Sequence, residues 1–332
     1  MLSASRPRGI DGVIVPRTIP SRSARSRLAI LATAAVLAGA PTARGVIVET
    51  YTGTGNTTAP ADDPGFANVG YSTSGHGTAI YLGGGWVLTA GHVGGDGIIL
   101  SSGTYLQASG SNTSFALVNT TPGKSTETDL YLFKLATEPV GLPTLAIASS
   151  MTGTGAAVTM IGGGLDRGAF TQWLVDDTTN PPTWTVTGSG GDAAGFATVG
   201  TQAIRWGTND VAANDLWVNA GYGDVRSFAT VFDYAPYTTE AQAVLHDSGG
   251  AVFTKAGGQW QLAGVITAVA GYSGQPSPVF TAVFGDATFM ADLSYYRPQI
   301  VALVPEPSAA ALAGGAGAVL ALLPIVRRRR RD

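Results

Sequence analysis

Cysteine is absent from the 332-residue chain, and histidine occurs at three positions, His76, His92 and His246. The absence of cysteine excludes disulfides, thiolate catalysis and cysteine-ligated metal sites, so the fold must depend on its hydrophobic core. The scarcity of histidine leaves three candidates for a general base that works near neutral pH. We expect no metal and no cofactor, and we look for chemistry carried by the side chains themselves.

Positive charge is scarce between residues 46 and 303. Seven Lys or Arg stand there against nineteen Asp or Glu, a net charge of −12, although the whole chain carries a formal charge of −3. An acidic surface of this kind repels the phosphate backbone of nucleic acids. The sequence therefore predicts an acidic central domain that has no nucleic-acid partner.

The basic residues that the centre lacks are concentrated at the two ends. Residues 1–27 contain six arginines, residues 28–40 form an apolar run, and residues 43–45 (Ala-Arg-Gly) supply small residues for cleavage. These are the parts of a secretory signal peptide, and the apolar run is too short to span a bilayer comfortably. We predict that residues 1–45 are a signal peptide, whose removal leaves Val46 first.

The C-terminal end has a second signal-like arrangement. Residues 304–307 read Val-Pro-Glu-Pro, residues 309–326 are uncharged and apolar, and residues 327–331 are arginines. The apolar run is long enough for a membrane helix, and the arginines favour a cytoplasmic end, so a plain membrane anchor is one interpretation. The three parts in this order also resemble the PEP-CTERM sorting signal of bacterial surface proteins. That resemblance, over residues 304–332, implies processing by an exosortase-type enzyme and a location at the cell surface, in the envelope or outside the cell.

Long amphipathic helical patterns are scarce between these ends, and short β-type runs bounded by Gly, Pro, Asn or Asp are many. Many short strands at such spacing are typical of an all-β sandwich or barrel. A soft boundary falls near residues 138–150, and residues 176–182 and 188–195 are predicted loops. The predicted strands are residues 78–82, 86–89, 114–118, 130–135, 157–161, 183–187, 251–253, 260–269 and 279–283.

Three residues stand where acid–base or nucleophilic chemistry is plausible. His92 follows an apolar run and a small-residue turn, a rim position where an imidazole can exchange protons, although a structural histidine fits the same pattern. Asp129 heads an apolar run, where a buried carboxylate needs a hydrogen-bond partner such as an imidazole N–H, although a surface aspartate is the ordinary alternative. Ser248 precedes two glycines that permit a strained turn, but a serine needs a base before it can act as a nucleophile.

The order His, Asp, Ser along the chain is that of the chymotrypsin group, and it differs from the orders of subtilisin and the α/β-hydrolases. The chain resembles the trypsin-like (chymotrypsin-fold) serine proteases in residues 77–82 (GTAIYL), 86–92 (WVLTAGH), 128–132 (TDLYL) and 247–250 (DSGG). Residues 262–267 (LAGVIT) fall where that family has its substrate-pairing strand. The resemblance spans about residues 46–300, the greater part of the predicted protease domain 46–303.

This resemblance implies an all-β fold of two antiparallel six-stranded β-barrels, about residues 46–145 and 150–300, with the active site in the cleft between them. It implies that Ser248 is the nucleophile, His92 the general base and then acid, and Asp129 the residue that orients the imidazole. The backbone N–H groups of His246 and Ser248 would form the oxyanion hole. The family usually has glycine at the position of His246, and it often pairs Asp247 with a freed N-terminus, for which residues 46–48 (Val-Ile-Val) are a weak equivalent.

The same resemblance locates a substrate pocket. Gln242, six residues before the serine, stands at the base, where trypsin itself has a carboxylate, and Thr267 and Val269 belong to the wall. Valine replaces a frequent glycine at the last position, so we expect cleavage after small or medium uncharged residues. A one-residue slip in this stretch would place Ala268 or Ala270 there and open the pocket.

Taken together, the motifs predict an exported serine endopeptidase that acts on protein or peptide substrates. The alternative is a catalytically inactive protease-fold binding module displayed at the surface, for which His246 is the best argument. A structural surface protein with a chance arrangement of the three residues is a weaker alternative.

Overall fold

The computed structural model describes residues 45–49, 55–233 and 239–304. The predicted signal peptide and sorting signal, including the apolar run 309–326, lie outside these ranges except for one residue each, Gly45 and Val304. Within the described ranges, no helix combines the length and the apolar character that crossing a membrane requires.

The N-terminal half forms a curled antiparallel sheet. After the short strand β1 (Ile47–Val48), the chain makes a 3₁₀ turn and seven strands, which lie in the order β6-β5-β2-β3-β4-β8-β7. Hydrogen bonds from Ala108 N to Lys134 O (2.8 Å) and from Ala136 N to Leu106 O (2.9 Å) bring the end of β6 to the end of β8, so the sheet closes toward a barrel. The seven strands are β2 Val69–Ser72, β3 Thr78–Gly83, β4 Trp86–Ala90, β5 Gly97–Leu100, β6 Gly103–Leu106, β7 Ser114–Val118 and β8 Glu127–Lys134.

The C-terminal half contains eleven strands and one helix among its described residues. Six of the strands form a closed antiparallel barrel in the order β13-β14-β19-β17-β16-β9, filled by side chains such as Met160, Phe228, Val252 and Met290. The elements are β9 Ala157–Gly162, β10 Leu165–Asp176, β11 Thr183–Thr187, β12 Ala193–Gln202, β13 Arg205–Asn219, β14 Asp224–Val231, β15 Ala241–Gln242, β16 Ala251–Ala256, β17 Gln259–Ala270, β18 Thr281–Val283, β19 Ala287–Asp292 and helix α1 Leu293–Val301.

Along the chain, three strands of a second sheet are inserted between the barrel strands β9 and β13. Strands β10, β11 and β12 follow β9 directly and form a four-stranded sheet with β18, in the order β11-β10-β12-β18. Trp173 and Phe196 are its buried aromatic residues. Arg205, at the start of β13, is buried against Asp166 of β10 and ties this sheet to the barrel.

The N-terminal strand belongs to the second half in space. Ile47 and Val48 pair with Gln242 and Ala241 of β15. Arg167 Nη1 donates hydrogen bonds to the carbonyl oxygens of Val48 (3.0 Å) and Glu49 (2.8 Å), so the strand is clamped from two sides. This pairing brings Val46 into the core of the second barrel.

Helix α1 connects the two halves. Asp292 caps its N-terminus by accepting a hydrogen bond from Ser294 N at 3.0 Å. Gln299 exchanges two hydrogen bonds with the backbone of Val118 in β7, and the Tyr295 hydroxyl contacts Thr121 Oγ1 at 2.9 Å. These bonds fix the first sheet against the end of the second barrel and so hold the cleft between them.

The predicted all-β, two-barrel class is confirmed by this topology. The second barrel has the expected six strands and is closed, whereas the first unit has seven strands and closes through the contacts at the ends of β6 and β8. Every stretch predicted as a strand contains one, with ends that differ by at most three residues. Much of the stretch 188–195, predicted as a loop, is one, but its last three residues begin β12.

Candidate active site

His92 and Asp129 meet on neighbouring strands of the first unit. Strand β4 ends at Ala90, which pairs with Leu130 of β8, so the turn after β4 lies directly beside Asp129. Asp129 accepts a hydrogen bond from the His92 backbone N–H through Oδ1 and contacts His92 Nδ1 through Oδ2, both at 2.8 Å. The carboxylate is 3% exposed. The buried acid thus has the imidazole partner that its burial requires.

Ser248 lies on the loop between β15 and β16, pressed against the first unit. Its carbonyl oxygen accepts a hydrogen bond from Thr78 N at 2.8 Å. Gly249 has φ of +83°, and a Cβ there would overlap Thr78 O and Thr89 Oγ1. A glycine is therefore required next to the serine by both backbone conformation and space.

Gly77 links the serine loop to the histidine turn. A Cβ on this glycine would lie 2.6 Å from Ser248 O and 2.7 Å from Val93 Cγ2. Because Val93 directly follows His92, the close packing at Gly77 brings the serine loop and the histidine turn near one another. His76, the residue before, is exposed on the turn between β2 and β3.

Among the described residues, two backbone N–H groups of the Ser248 loop have no acceptor. The N–H groups of Val244, Leu245, Asp247, Gly249 and Gly250 all donate hydrogen bonds within the protein. In contrast, no acceptor for the N–H of His246 or of Ser248 occurs among the described residues. His246 has φ of +73°, a left-handed conformation in which histidine is enriched relative to most side chains. Its carbonyl oxygen accepts a hydrogen bond from Thr78 Oγ1 at 2.9 Å, which fixes the orientation of the following peptide.

Asp247 is fully buried behind the serine. Its carboxylate accepts hydrogen bonds from Gly164 N (2.7 Å) and Val244 N (2.8 Å). Burial raises its pKa to about 7, although these hydrogen bonds and the positive charge of Arg205 act in the opposite direction. A Cβ on Gly162 would overlap the Asp247 carboxylate and approach Val46 Cγ1 to 3.0 Å, so the side chains of Val46 and Asp247 border the same glycine.

The residue expected at the pocket base, Gln242, is fully buried. Thr288 Oγ1 donates a hydrogen bond to Gln242 Oε1 at 3.0 Å and accepts one from Ala243 N at 3.1 Å. Gln242 Nε2 donates to Ala287 O at 3.3 Å. Thr288, on β19, is a residue that the sequence reading missed, because only the barrel register brings it to Gln242.

The two expected wall residues lie on β17. Val269 pairs directly with Thr288 of β19, and it is partly buried. Thr267 is buried, donates a hydrogen bond to Phe289 O at 3.4 Å, and lies in a register shift between Ile266 and Ala268. The residues expected at the base and the wall thus offer an amide, a hydroxyl and a branched apolar side chain, and none of these carries a charge.

Tyr222 is a second residue that the sequence reading missed. It lies at the tip of the β13–β14 hairpin, and its ring stacks on the His92 ring with centroids 4.7 Å apart and planes inclined by 22°. No local signal marks it, because the contact joins residues 130 positions apart.

Among the described residues, no group of three or more His, Asp or Glu side chains is arranged to hold a metal ion.

No protein-family model and no curated protein matches the sequence. Solved structures do match. Neuropsin, a serine protease expressed in the limbic system of mouse brain, gives a TM-score of 0.45 at 13% identity, over 74% of this chain and 96% of neuropsin. Kallikrein-related peptidase 10, alone and in a complex with Zn²⁺, gives 0.42 at 14% identity, over 72% of this chain and 95% of the peptidase. These likenesses concern the overall chain path at low sequence identity.

Proposed function

We propose that the protein is a serine endopeptidase that uses His92, Asp129 and Ser248. The observation that carries the proposal is the buried Asp129 carboxylate bound to His92 Nδ1 at 2.8 Å. The Ser248 loop and Val93, the residue after His92, both pack against Gly77. A carboxylate that holds one imidazole nitrogen leaves the other free to accept a proton from a hydroxyl. The two N–H groups without an acceptor, on His246 and Ser248, support the same function.

The proposed reaction proceeds through an acyl-enzyme. Ser248 Oγ attacks the scissile carbonyl carbon while His92 takes the hydroxyl proton, and the carbonyl oxygen becomes an oxyanion bound by the two N–H groups. The C–N bond then breaks, and His92 gives its proton to the leaving amine. Water, activated by His92 in the same way, hydrolyses the ester and restores Ser248.

A free strand edge supports a peptide substrate. The residues of β17 from Ala268 to Ala270 pair with β19 on one side, whereas β16 reaches only as far as Val265 on the other side. Among the described residues no strand takes the remaining edge, so an extended peptide can add to it. We propose that Gln242, Thr288 and Val269 form the substrate pocket beside this edge, since Val269 belongs to it and pairs with Thr288. Their uncharged side chains favour a small or medium uncharged residue before the scissile bond.

A new N-terminus at Val46 would place a positively charged α-amino group near the Asp247 carboxylate. The proposed signal-peptide cleavage leaves Val46 first, and Val46 is buried beside the glycine that contacts Asp247. An α-amino group there would ionise Asp247 and fix the Ser248 loop. Intact-mass analysis of the exported protein tests the cleavage, and a form that begins well away from Val46 would contradict it.

The export and surface location rest on the two terminal segments, which lie outside the described residues. We propose that residues 304–332 act as a PEP-CTERM sorting signal, that the apolar run 309–326 holds the precursor in the membrane, and that an exosortase-type enzyme cuts near residues 304–307. The mature protein then resides in the envelope, at the surface or outside the cell. A surface form that retains Asp332 in a host with the exosortase would favour a plain membrane anchor.

A peptide-library digestion tests the enzymatic function. The purified protein should cleave internal bonds of unstructured peptides, and His92→Ala should not. The inactive binding module, which the side chain at position 246 favours, predicts no cleavage by either form. Mass spectrometry of the products also reads the residue before each cut, which tests the proposed pocket.

A further inference from the structure

The hairpin between β13 and β14 reaches from the second barrel to the histidine of the first unit. Its tip carries Tyr222 between Gly221 (φ +102°) and Gly223 (φ +105°), two conformations that favour glycine. One face of the tyrosine ring covers His92, and the side chain remains 57% exposed. The fold therefore presents an aromatic surface to solvent directly beside the histidine.

The tip is fixed by hydrogen bonds across the cleft. Asp224 Oδ2 accepts from Ser125 N at 2.9 Å, Asp224 N donates to Ser125 Oγ at 2.6 Å, and Asn119 Nδ2 donates to Asp224 O at 2.8 Å. A Cβ on Gly223 would lie 2.5 Å from Glu127 O, so the backbones are in close contact. These contacts fix the backbone next to Tyr222, so that its ring forms one wall of the cleft beside His92.

A cavity of about 540 Å³ opens between this wall and the first unit. It is lined by His92, Ser125, Glu127 and Tyr222, and by the buried Asp129, whose carboxylate is engaged by His92. Glu127 is exposed and carries the second carboxylate of the lining, and no Lys or Arg contributes to it. An exposed carboxylate and an aromatic ring are the two groups that attract an ammonium or guanidinium.

The cavity lies where an extended substrate would send its next side chain. Successive side chains of a β-strand point to opposite faces. If the residue before the scissile bond enters the proposed pocket of Gln242 and Thr288 in the second barrel, the residue before that one faces the other way, toward His92 of the first unit and Tyr222 at the hairpin tip.

We propose that this cavity is a recognition site for a lysine or arginine side chain, located immediately before the residue at which the chain is cut. The proposal rests on the proposed endopeptidase function. The alkyl stem packs along the Tyr222 ring, and the charged group pairs with Glu127. Tyr222 and Glu127 are specificity-determining residues with no part in the proton transfers.

The test compares four fluorogenic peptides that keep alanine at the cut and carry Lys, Arg, Gln or Glu before it. For the wild type we expect kcat/KM for Lys and Arg to exceed that for Gln by about tenfold, and Glu to be the poorest. Glu127→Gln should bring the Lys-to-Gln ratio close to one, and Tyr222→Leu should reduce it several-fold. Asp177→Asn, an exposed carboxylate in the β10–β11 turn, removes the same charge and should leave the ratio at the wild-type value.

The possible outcomes distinguish failure of the basic-residue site from failure of the proposed endopeptidase function. Cleavage of all four peptides with equal efficiency, or an unchanged ratio in Glu127→Gln, overturns the basic-residue site and leaves the endopeptidase intact. A ratio that falls equally in Asp177→Asn assigns the preference to net charge and also overturns it. No cleavage of any peptide, together with no phosphonylation of Ser248 by a fluorophosphonate, overturns both.

Discussion

Asp129 binds His92 at two points, its backbone N–H and its ring Nδ1, each at 2.8 Å. The first bond fixes where the turn after β4 runs, and the second fixes the direction of the imidazole. A single buried carboxylate thus positions both the main chain and the side chain of the proposed general base.

Asp129→Asn should lower kcat by about four orders of magnitude while the protein stays folded. An amide can still accept the backbone N–H, but it no longer favours the imidazole tautomer that the reaction needs. Steady-state kinetics measures the loss, and circular dichroism checks the fold. Asp96→Asn, an exposed acid of the same unit, is the matched control. A turnover in Asp129→Asn within tenfold of the wild type would contradict the assigned role.

Thr288→Gly should enlarge the pocket. The threonine hydroxyl holds Gln242, and its side chain faces Val269 across the β17–β19 pair. Space for one or two more carbon groups changes selectivity by roughly 10–200-fold. We expect the efficiency for Phe relative to Ala before the cut to rise at least tenfold in Thr288→Gly and in Val269→Gly. An unchanged ratio in both variants would remove these residues from the pocket.

The turnover of His246 variants should depend on how easily each residue adopts the left-handed backbone conformation at position 246. Glycine adopts φ of +73° without strain, histidine with little, and alanine with more. A lost oxyanion donor costs roughly 10²–10³ in turnover. We expect His246→Gly to match or exceed the wild type and His246→Ala to fall below it. If His246→Gly drops to near zero, the imidazole has a chemical role that the backbone account omits.

Glu240 should make the fold less stable above neutral pH. It is 3% exposed, and its pKa is raised to about 7, first by burial and further by Asp233, Asp210 and Glu49. Between an unfolded pKa near 4.5 and the folded value, the folded state keeps a proton that the unfolded state releases, so stability falls as pH rises through that window. The full cost, on the order of 3 kcal/mol, is reached above pH 7.

Glu240→Gln removes this titration. Its melting temperature should exceed that of the wild type at pH 8, and the difference should shrink toward zero near pH 4. Thermal unfolding followed by circular dichroism across this range measures it, with the exposed Asp177→Asn as control. A difference that is the same at every pH would show that Glu240 does not titrate in this window.

Much of the fold could be read from the sequence because its central strands are uniform in character. Strands β3 and β4 are buried throughout, so their apolar runs stand out between glycines. Strand β13 went unpredicted because it mixes apolar residues with Asn209, Asp210, Asn214 and Asp215, whose places depend on the barrel around them. Strands β10 and β12, the two central strands of the four-stranded sheet, also went unpredicted, although their neighbours β11 and β18 lie in predicted strands.

The candidate site divides along the same line. His92, Asp129 and Ser248 lie in short sequence motifs. Close packing restricts the residues beside them, as at Gly249, so the motifs can be recognised from the sequence alone. Thr288 and Tyr222 act through contacts across a barrel and across the cleft, and neither has a neighbour in the chain that marks it. Residues proposed to shape a pocket are therefore harder to find in the sequence than those proposed to carry the chemistry.

Fluorophosphonate labelling tests the central claim most directly, because it needs no knowledge of the natural substrate. Only a serine activated by a base reacts at a useful rate. We predict that the purified protein gains one phosphonyl group, that peptide mass spectrometry locates it on Ser248, and that His92→Ala and Ser248→Ala both abolish it. A folded protein that stays unlabelled, or one labelled equally well without His92, would contradict the account.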